Sequence, residues 1–186
     1  MNIELSQVIA EIRELFHLHG GEHYGEDVTQ LEHAVQVGLL ALESGAPDEV
    51  VVAAFLHDIG HLCAPEAETM GSFGRHCHDS NGGQWARSRG FPETVARLIE
   101  NHVAAKRYLT ATDPHYLARL SVASKATLAH QGGPMSHGEV SQFEADDLIS
   151  LHLRLRRWDE AGKNDEADLS DIEPFIDRIR GVLARA

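Results

Sequence analysis

Apolar residues recur at spacings of three and four through seven stretches: Ile3–Phe16, Val28–Leu42, Val50–Leu62, Val95–Val103, Tyr116–Leu128, Phe143–Trp158 and Ile172–Leu183. Nowhere do they alternate with polar residues as a half-buried strand requires. That regularity restricts the chain to an all-α fold, a helical bundle. Breaks fall where turn chemistry places them: HGGEHYGED at 19–27, SGAPDE at 44–49, Gly90–Phe91–Pro92, and HQGGPMSHGE at 130–139. Residues 161–171, AGKNDEADLSD, are polar and acidic, so the expectation there is a solvated loop before a last helix. A length of 186 residues fits a single domain, 1–186, with a sizeable core.

Charge narrows the partners. A formal net charge of −13 discourages nucleic acid and anionic membrane alike, which leaves a small molecule as the expected target. No apolar run reaches the length of a membrane span, and Glu4, Glu11, Arg13 and Glu14 interrupt what would be the apolar core of a signal peptide. With Cys63 and Cys77 the only cysteines, a reducing cytoplasm with free thiols is expected. The thirteen histidines are the oddity of the composition.

Residues 55–61, FLHDIGH, put two of them around an aspartate. Val50, Val51, Ala54 and Phe55 mark a buried helix face, and His57, Asp58 and His61 continue it at i+3, i+4 and i+7 from Ala54. A buried carboxylate needs hydrogen bonds, a cation or a metal. Further donors lie elsewhere: His33 in QLEHAVQV, His78 where HCHDSNGGQW begins a helix, His102 with Lys106 one turn on, and Asp159 with Arg156 one turn before. Imidazoles and carboxylates arriving from separate helices are how bundles build transition-metal centres. His33, His57, Asp58, His78, His102 and Asp159 are too many for one tetrahedral ion and suit two octahedral ions bridged by Asp58. His76, His130 and His137 fall in or near turns, and Trp85 and Trp158 are core candidates.

The order His, His-Asp, His, His, Asp resembles the HD-domain metalloproteins. The wording QLEHAVQ, AAFLHDIGHLC, MGSFG, ENHVAAKRYL, SVASKATLAHQGGPM and RRWDEAGK narrows this, over roughly residues 22–163, to the HD-domain mixed-valent diiron oxygenases. These relatives of myo-inositol oxygenase cleave the carbon–phosphorus bond of hydroxyphosphonates such as 2-amino-1-hydroxyethylphosphonate. The resemblance implies an Fe(II)/Fe(III) pair on the six residues above, with O₂ as co-substrate. It implies a phosphonate held by Lys106, Ser124 and Arg156, and His61 beside the substrate, with His61 and Lys106 acting at the reacting centre. Lys106 and Arg156 are a point charge and a planar fork suited to a phosphonate dianion. The implied reaction is an oxidation at C1 that breaks the C–P bond to leave phosphate and a carboxylate, glycine or glycine betaine.

One loop departs from the family pattern of Tyr, two residues, then Glu. Here the loop reads HYGEDVTQLEH: Glu26 aligns with the acid that meets the substrate's amino group, but Tyr24 falls one residue late and Asp27 follows. The primary amine and its N-trimethyl form both stand as substrates, the latter calling for an aromatic face from Tyr24, Phe73 or Tyr108. Two rival classes share the ligand set, an HD phosphohydrolase that activates water and a silent metal-binding module.

Overall fold

The structure, a computed structural model, describes residues 4–64, 66–164 and 169–186. In chain order the helices are α1 (Leu5–His19), α2 (Gln30–Glu43), α3 (Asp48–Leu56), α4 (Ile59–Cys63), α5 (His78–Ser88), α6 (Glu93–Glu100), α7 (His102–Thr112), α8 (Tyr116–Arg119), α9 (Val122–His130), α10 (His137–Glu144), α11 (Ile149–Ala161) and α12 (Glu173–Leu183), with a 3-10 turn at Gly71–Phe73. Among the described residues there is no strand, only an isolated bridge between Thr69 and Arg75. The all-α expectation holds. No helix is long and apolar enough to cross a membrane, among the described residues.

Packing is organised around α3. Val50 to Leu56 are all buried, and a helix apolar on every side belongs in the middle of a core. α2, α6 and α12 pack on it. Phe55 lies between Phe16 and Phe175, with ring centroids 5.0 and 4.5 Å away. Gly38 of α2 makes room for that stack, since a Cβ there would meet the Phe175 ring at 2.5 Å. Each buried phenyl contributes roughly 1.5–3 kcal/mol. At the start of α2, Thr29 and Glu32 form a reciprocal capping box, and this sets His33 one turn into the helix.

Four of the stretches that the spacing predicts as single helices are divided. Tyr116–Leu128 breaks at Leu120–Ser121, and Phe143–Trp158 breaks between α10 and α11. The other two breaks carry site residues. α3 stops at Leu56 and α4 resumes at Ile59, with Asp58 at φ −98°, ψ 11°. There the His57 Nδ1–H donates to the Ala54 carbonyl at 2.9 Å, so a side chain takes an acceptor that the helix ladder would use. α6 and α7 part at Asn101 (φ −101°, ψ 6°), where His102 Nδ1 donates to the Ile99 carbonyl at 2.7 Å. Finally, α4 and α5 meet backbone to backbone: a Cβ on Gly60 would lie 1.8 Å from the His78 carbonyl oxygen. That approach brings His78 up to the Asp58–His61 segment.

Candidate metal centre

Asp58 presents its two carboxylate oxygens to two different histidine pairs. Oδ2 lies 3.8 Å from His33 Nε2 and 3.4 Å from His57 Nε2. Oδ1 lies 3.6 Å from His78 Nε2 and 3.4 Å from His102 Nε2. Asp159, near the end of α11, adds oxygens 3.4 Å from His33 Nε2 and 3.9 Å from His57 Nε2. Within each of the groups His33–His57–Asp58 and Asp58–His78–His102, one donor atom per residue lies within 4.8 Å of the others. The six candidate ligands from the sequence are therefore together, with Asp58 common to both groups.

The histidines are aimed by the main chain. Nδ1 of His33 sits 2.8 Å from the Gly162 carbonyl, His57 2.9 Å from Ala54, His78 3.2 Å from Arg75 and His102 2.7 Å from Ile99. A carbonyl only accepts, so each Nδ1 carries the proton and each Nε2 turns its lone pair inward. His57 Nε2 is buried without a hydrogen-bond partner, and the Nε2 atoms of His78 and His102 stand 3.0 Å apart. Inward lone pairs converging on a buried carboxylate, Asp159, and a half-buried one, Asp58, are stabilised by cations, and an imidazole–carboxylate set without thiolate fits transition metals. Burial alone would raise the Asp58 carboxyl, but the imidazoles of His57, His102, His61 and His78 outweigh it and hold it well below the usual carboxylate range. Burial pushes His57 down to about 4.

His61 is wired the opposite way. Its Nδ1 accepts the Arg75 N–H at 2.9 Å, so the proton of the neutral ring sits on Nε2 and makes it a donor. Burial, reinforced by neighbouring His78, keeps the ring neutral. It stacks on His78 at 4.0 Å and against Tyr24 at 4.6 Å.

Beside Asp58 and Asp159 opens a pocket with about 70 Å³ of free space, room for a compact ligand. Lys106, Ser124 and Arg156 all line it. Lys106 is buried and donates to Thr127 Oγ1 at 3.0 Å; burial, then the Arg156 charge, push its pKa from 10.5 down to about 7. Arg156 is held on two sides. Nη1 donates to Asp159 Oδ2 at 2.6 Å, and Nε faces Glu160 Oε1 at 2.9 Å and the Tyr116 hydroxyl at 3.0 Å. Its Nη2 is buried without a partner.

The departing loop also reaches the pocket. Tyr24 lines it, with its hydroxyl donating to Glu22 Oε2 at 2.8 Å. Glu26 lines it too, accepting from Ser121 Oγ at 2.7 Å and ion-paired with Lys163. Asp27 is exposed and is not among the lining residues. Tyr108 is likewise no part of the wall and donates instead to Glu144 at 3.0 Å, which removes it as an aromatic face; Phe73 remains. Both thiols are free, Cys63 half-buried and Cys77 exposed.

The reading of 161–171 as a solvated loop is corrected at its start, while residues 165–168 lie outside the described residues. Gly162 is buried and its carbonyl holds His33, and Lys163 reaches into the pocket. Lys163 follows Asp159 by four residues, one helical turn, and that spacing was the available signal. Thr127 and Tyr116, which steady Lys106 and Arg156, carry no sequence signal beyond their apolar surroundings.

An all-helical chain with a His-Asp pair set among further histidines at its interior is an HD-type metalloprotein in architecture. The HD domain family matches residues 30–159, and the chain belongs to that family. Among its relatives, the [1-hydroxy-2-(trimethylamino)ethyl]phosphonate dioxygenase (glycine-betaine-forming) of Leisingera caerulea is 36% identical over 184 residues, covering 95% of this chain and 90% of that one. The hydroxymethylphosphonate dioxygenase of Gimesia maris is 35% identical over 177 residues, 94% of this chain and 88% of that one. An uncharacterized protein of Acanthamoeba polyphaga mimivirus is 39% identical over 168 residues, 87% of this chain and 77% of that one.

Proposed function

We propose that this chain is a diiron oxygenase that uses O₂ to cleave the C–P bond of a small 1-hydroxyphosphonate, releasing phosphate and a carboxylate. The observation that carries the reading is Asp58, with one oxygen turned to His33 and His57 and the other to His78 and His102. His33, His57, Asp58 and Asp159 would hold one metal and Asp58, His78 and His102 the other, as an Fe(II)/Fe(III) pair. Bound there, the irons supply activation of O₂ and a Lewis-acidic site for the substrate's oxygens. Two relatives whose names are those of phosphonate dioxygenases support this choice over hydrolysis.

The protein's own groups bind and align. Lys106, the spare Nη2 of Arg156 and the Ser124 hydroxyl meet the phosphonate oxygens with charge-assisted hydrogen bonds. Arg156 cannot swing away, because Asp159, Glu160 and Tyr116 fix it, and so the phosphonate lies beside a metal ligand. His61 offers its Nε2–H to an oxygen of the substrate and stays neutral while doing so. The C1 substituent is read by the remaining wall, Tyr24, Glu26, Phe73 and Lys163. The overall change balances without a reductant: C1 loses four electrons, O₂ accepts four, and its two oxygen atoms end in the carboxylate and the phosphate.

The test is phosphate release by anaerobically prepared, iron-loaded protein given hydroxymethylphosphonate, 2-amino-1-hydroxyethylphosphonate or its N-trimethyl form, with and without O₂. Phosphate should appear only when O₂ is admitted. Equal release without O₂, or with Mg²⁺ in place of iron, would mark a hydrolase and refute the proposal.

A further inference from the structure

His61 and His78 are stacked, with ring centroids 4.0 Å apart and planes 17° from parallel, yet they carry their protons on opposite nitrogens. One residue accounts for both. The Arg75 N–H donates to His61 Nδ1 at 2.9 Å, and the Arg75 carbonyl accepts from His78 Nδ1 at 3.2 Å. A donor held against Nδ1 leaves the His61 proton on Nε2, so that this ring offers a hydrogen bond. An acceptor held against Nδ1 leaves the His78 Nε2 lone pair free for a metal.

A tight turn puts Arg75 in this position. The Met70 N–H donates to the Gly74 carbonyl at 2.8 Å and the His76 N–H to the Glu68 carbonyl at 2.7 Å, so Thr69 and Arg75 are the facing pair between two ladder bonds. Residues in such a pair spend neither main-chain group on each other, and Arg75 turns both outward, on one side, to the two rings. Gly74 closes the turn at φ 90°, ψ −159°, a conformation open almost only to glycine. A Cβ there would also lie 2.5 Å from His61 Cε1 and 2.8 Å from His61 Nδ1, the atom that the next amide holds. A side chain at position 74 therefore conflicts with the turn and with the ring together.

We infer that Gly74 and the main chain of Arg75 are positioning residues of this site: the two Arg75 peptide groups sort a stacked pair of histidines into a substrate donor, His61, and a metal ligand, His78. The substrate half of this rests on the oxygenase reading above. The experiment uses the full chain, loaded with zinc as a diamagnetic ion for NMR and with iron for turnover. In wild type, a ¹⁵N–¹⁵N coupling across the hydrogen bond should link the Arg75 amide to His61 Nδ1. Gly74→Ala should abolish that coupling, and metal titration should show the ion of His78 and His102 bound about 10–100-fold more weakly, as for a lost outer partner of a ligating histidine. Its kcat/KM for hydroxyphosphonate should fall about tenfold or more, because His61 is no longer aimed. Arg75→Pro removes the N–H and keeps the carbonyl, so it should lose turnover to a similar extent while binding both metals as wild type does. A turn that served folding alone would lower both readouts together. No coupling in wild type, unchanged metal affinity in Gly74→Ala, or an Arg75→Pro chain that keeps wild-type turnover or loses metal along with it, overturns the inference. No phosphate from wild type with any hydroxyphosphonate overturns the oxygenase reading instead, and the coupling and the metal titrations then decide the role of the turn.

Discussion

Lys106 is held at a cost to stability, and the cost can be measured. The side chain is 3% exposed with one hydrogen bond, to Thr127, and its pKa falls from 10.5 to about 7 because burial and the neighbouring Arg156 disfavour the charged form. At about 1.4 kcal/mol per pH unit, that fall corresponds to roughly 5 kcal/mol of destabilisation. The sign follows from proton counting. Below pH 7 the lysine is charged in both folded and unfolded chains, and the whole cost is present. As the pH rises from 7 towards 10.5 the folded chain has lost its proton while the unfolded chain keeps it, so stability increases and the cost disappears. Lys106→Met retains the apolar stem without the charge. It should therefore be more stable than wild type by roughly 3–5 kcal/mol at pH 6, allowing for the lost Thr127 contact, with the difference closing by about pH 10.5. Urea unfolding of both proteins across this pH range, on metal-free samples, gives the comparison. The variant should also bind no hydroxyphosphonate. A Lys106→Met protein less stable than wild type, or a difference that does not change with pH, would refute the argument that binding charge is kept here against folding stability.

Three further outcomes follow from single contacts. Elemental analysis should find about two iron ions per wild-type chain and almost none in Asp58→Ala, since both histidine pairs lose the carboxylate they share; full occupancy in that variant would sink the bridging role. Gly60→Ala drives a Cβ into the His78 carbonyl oxygen at 1.8 Å, main chain against main chain, and should cost about 3 kcal/mol or more in urea unfolding; wild-type stability would mean α4 and α5 part freely. Cys77 is the non-glycine residue with positive φ, 54°, among the described residues. Cys77→Gly should relieve that strain and gain about 0.5–1 kcal/mol after the larger unfolded-state entropy of glycine is counted; a loss of stability would show that the thiol makes a contact worth more than the strain.

What the sequence displayed well was whatever depends on a helix face. The apolar spacing marked α2 and α12, and it held α3 and α11 within longer stretches. The six candidate ligands converge because each lies on, or directly beside, a buried face. Lys163 escaped notice for the complementary reason. It sits past the end of α11 in a polar, acidic run, and only tertiary bonds from Gly162 to His33 and from Asn164 to Gln36 turn it into the pocket. No local propensity records a contact across more than a hundred residues. Tyr108 misled in the other way: it lies close to Lys106 in sequence, but two residues on along α7 it points to another side of the helix, where its hydroxyl meets Glu144.

The breaks at His57–Asp58 and Asn101–His102 explain how neighbours in sequence serve a common centre. On an uninterrupted helix, successive residues point about 100° apart, so His57 and Asp58 would diverge. Here His57, His78 and His102 each give the Nδ1 proton to the carbonyl three residues back, and each stands where a helix ends or begins. The same bond that ends the ladder fixes the ring tautomer and aims Nε2 inward, so the interruption and the ligand geometry have one cause. Asp58, freed from helical geometry at φ −98°, ψ 11°, can then face His57 at 3.4 Å with one oxygen while the other reaches the pair on α5 and α7. His33 lacks this device because it lies inside α2, and it takes its carbonyl from Gly162 instead. The stretch of chain that orients His33 is thus the one that delivers Lys163 to Glu26, which ties the first histidine pair to the wall of the pocket.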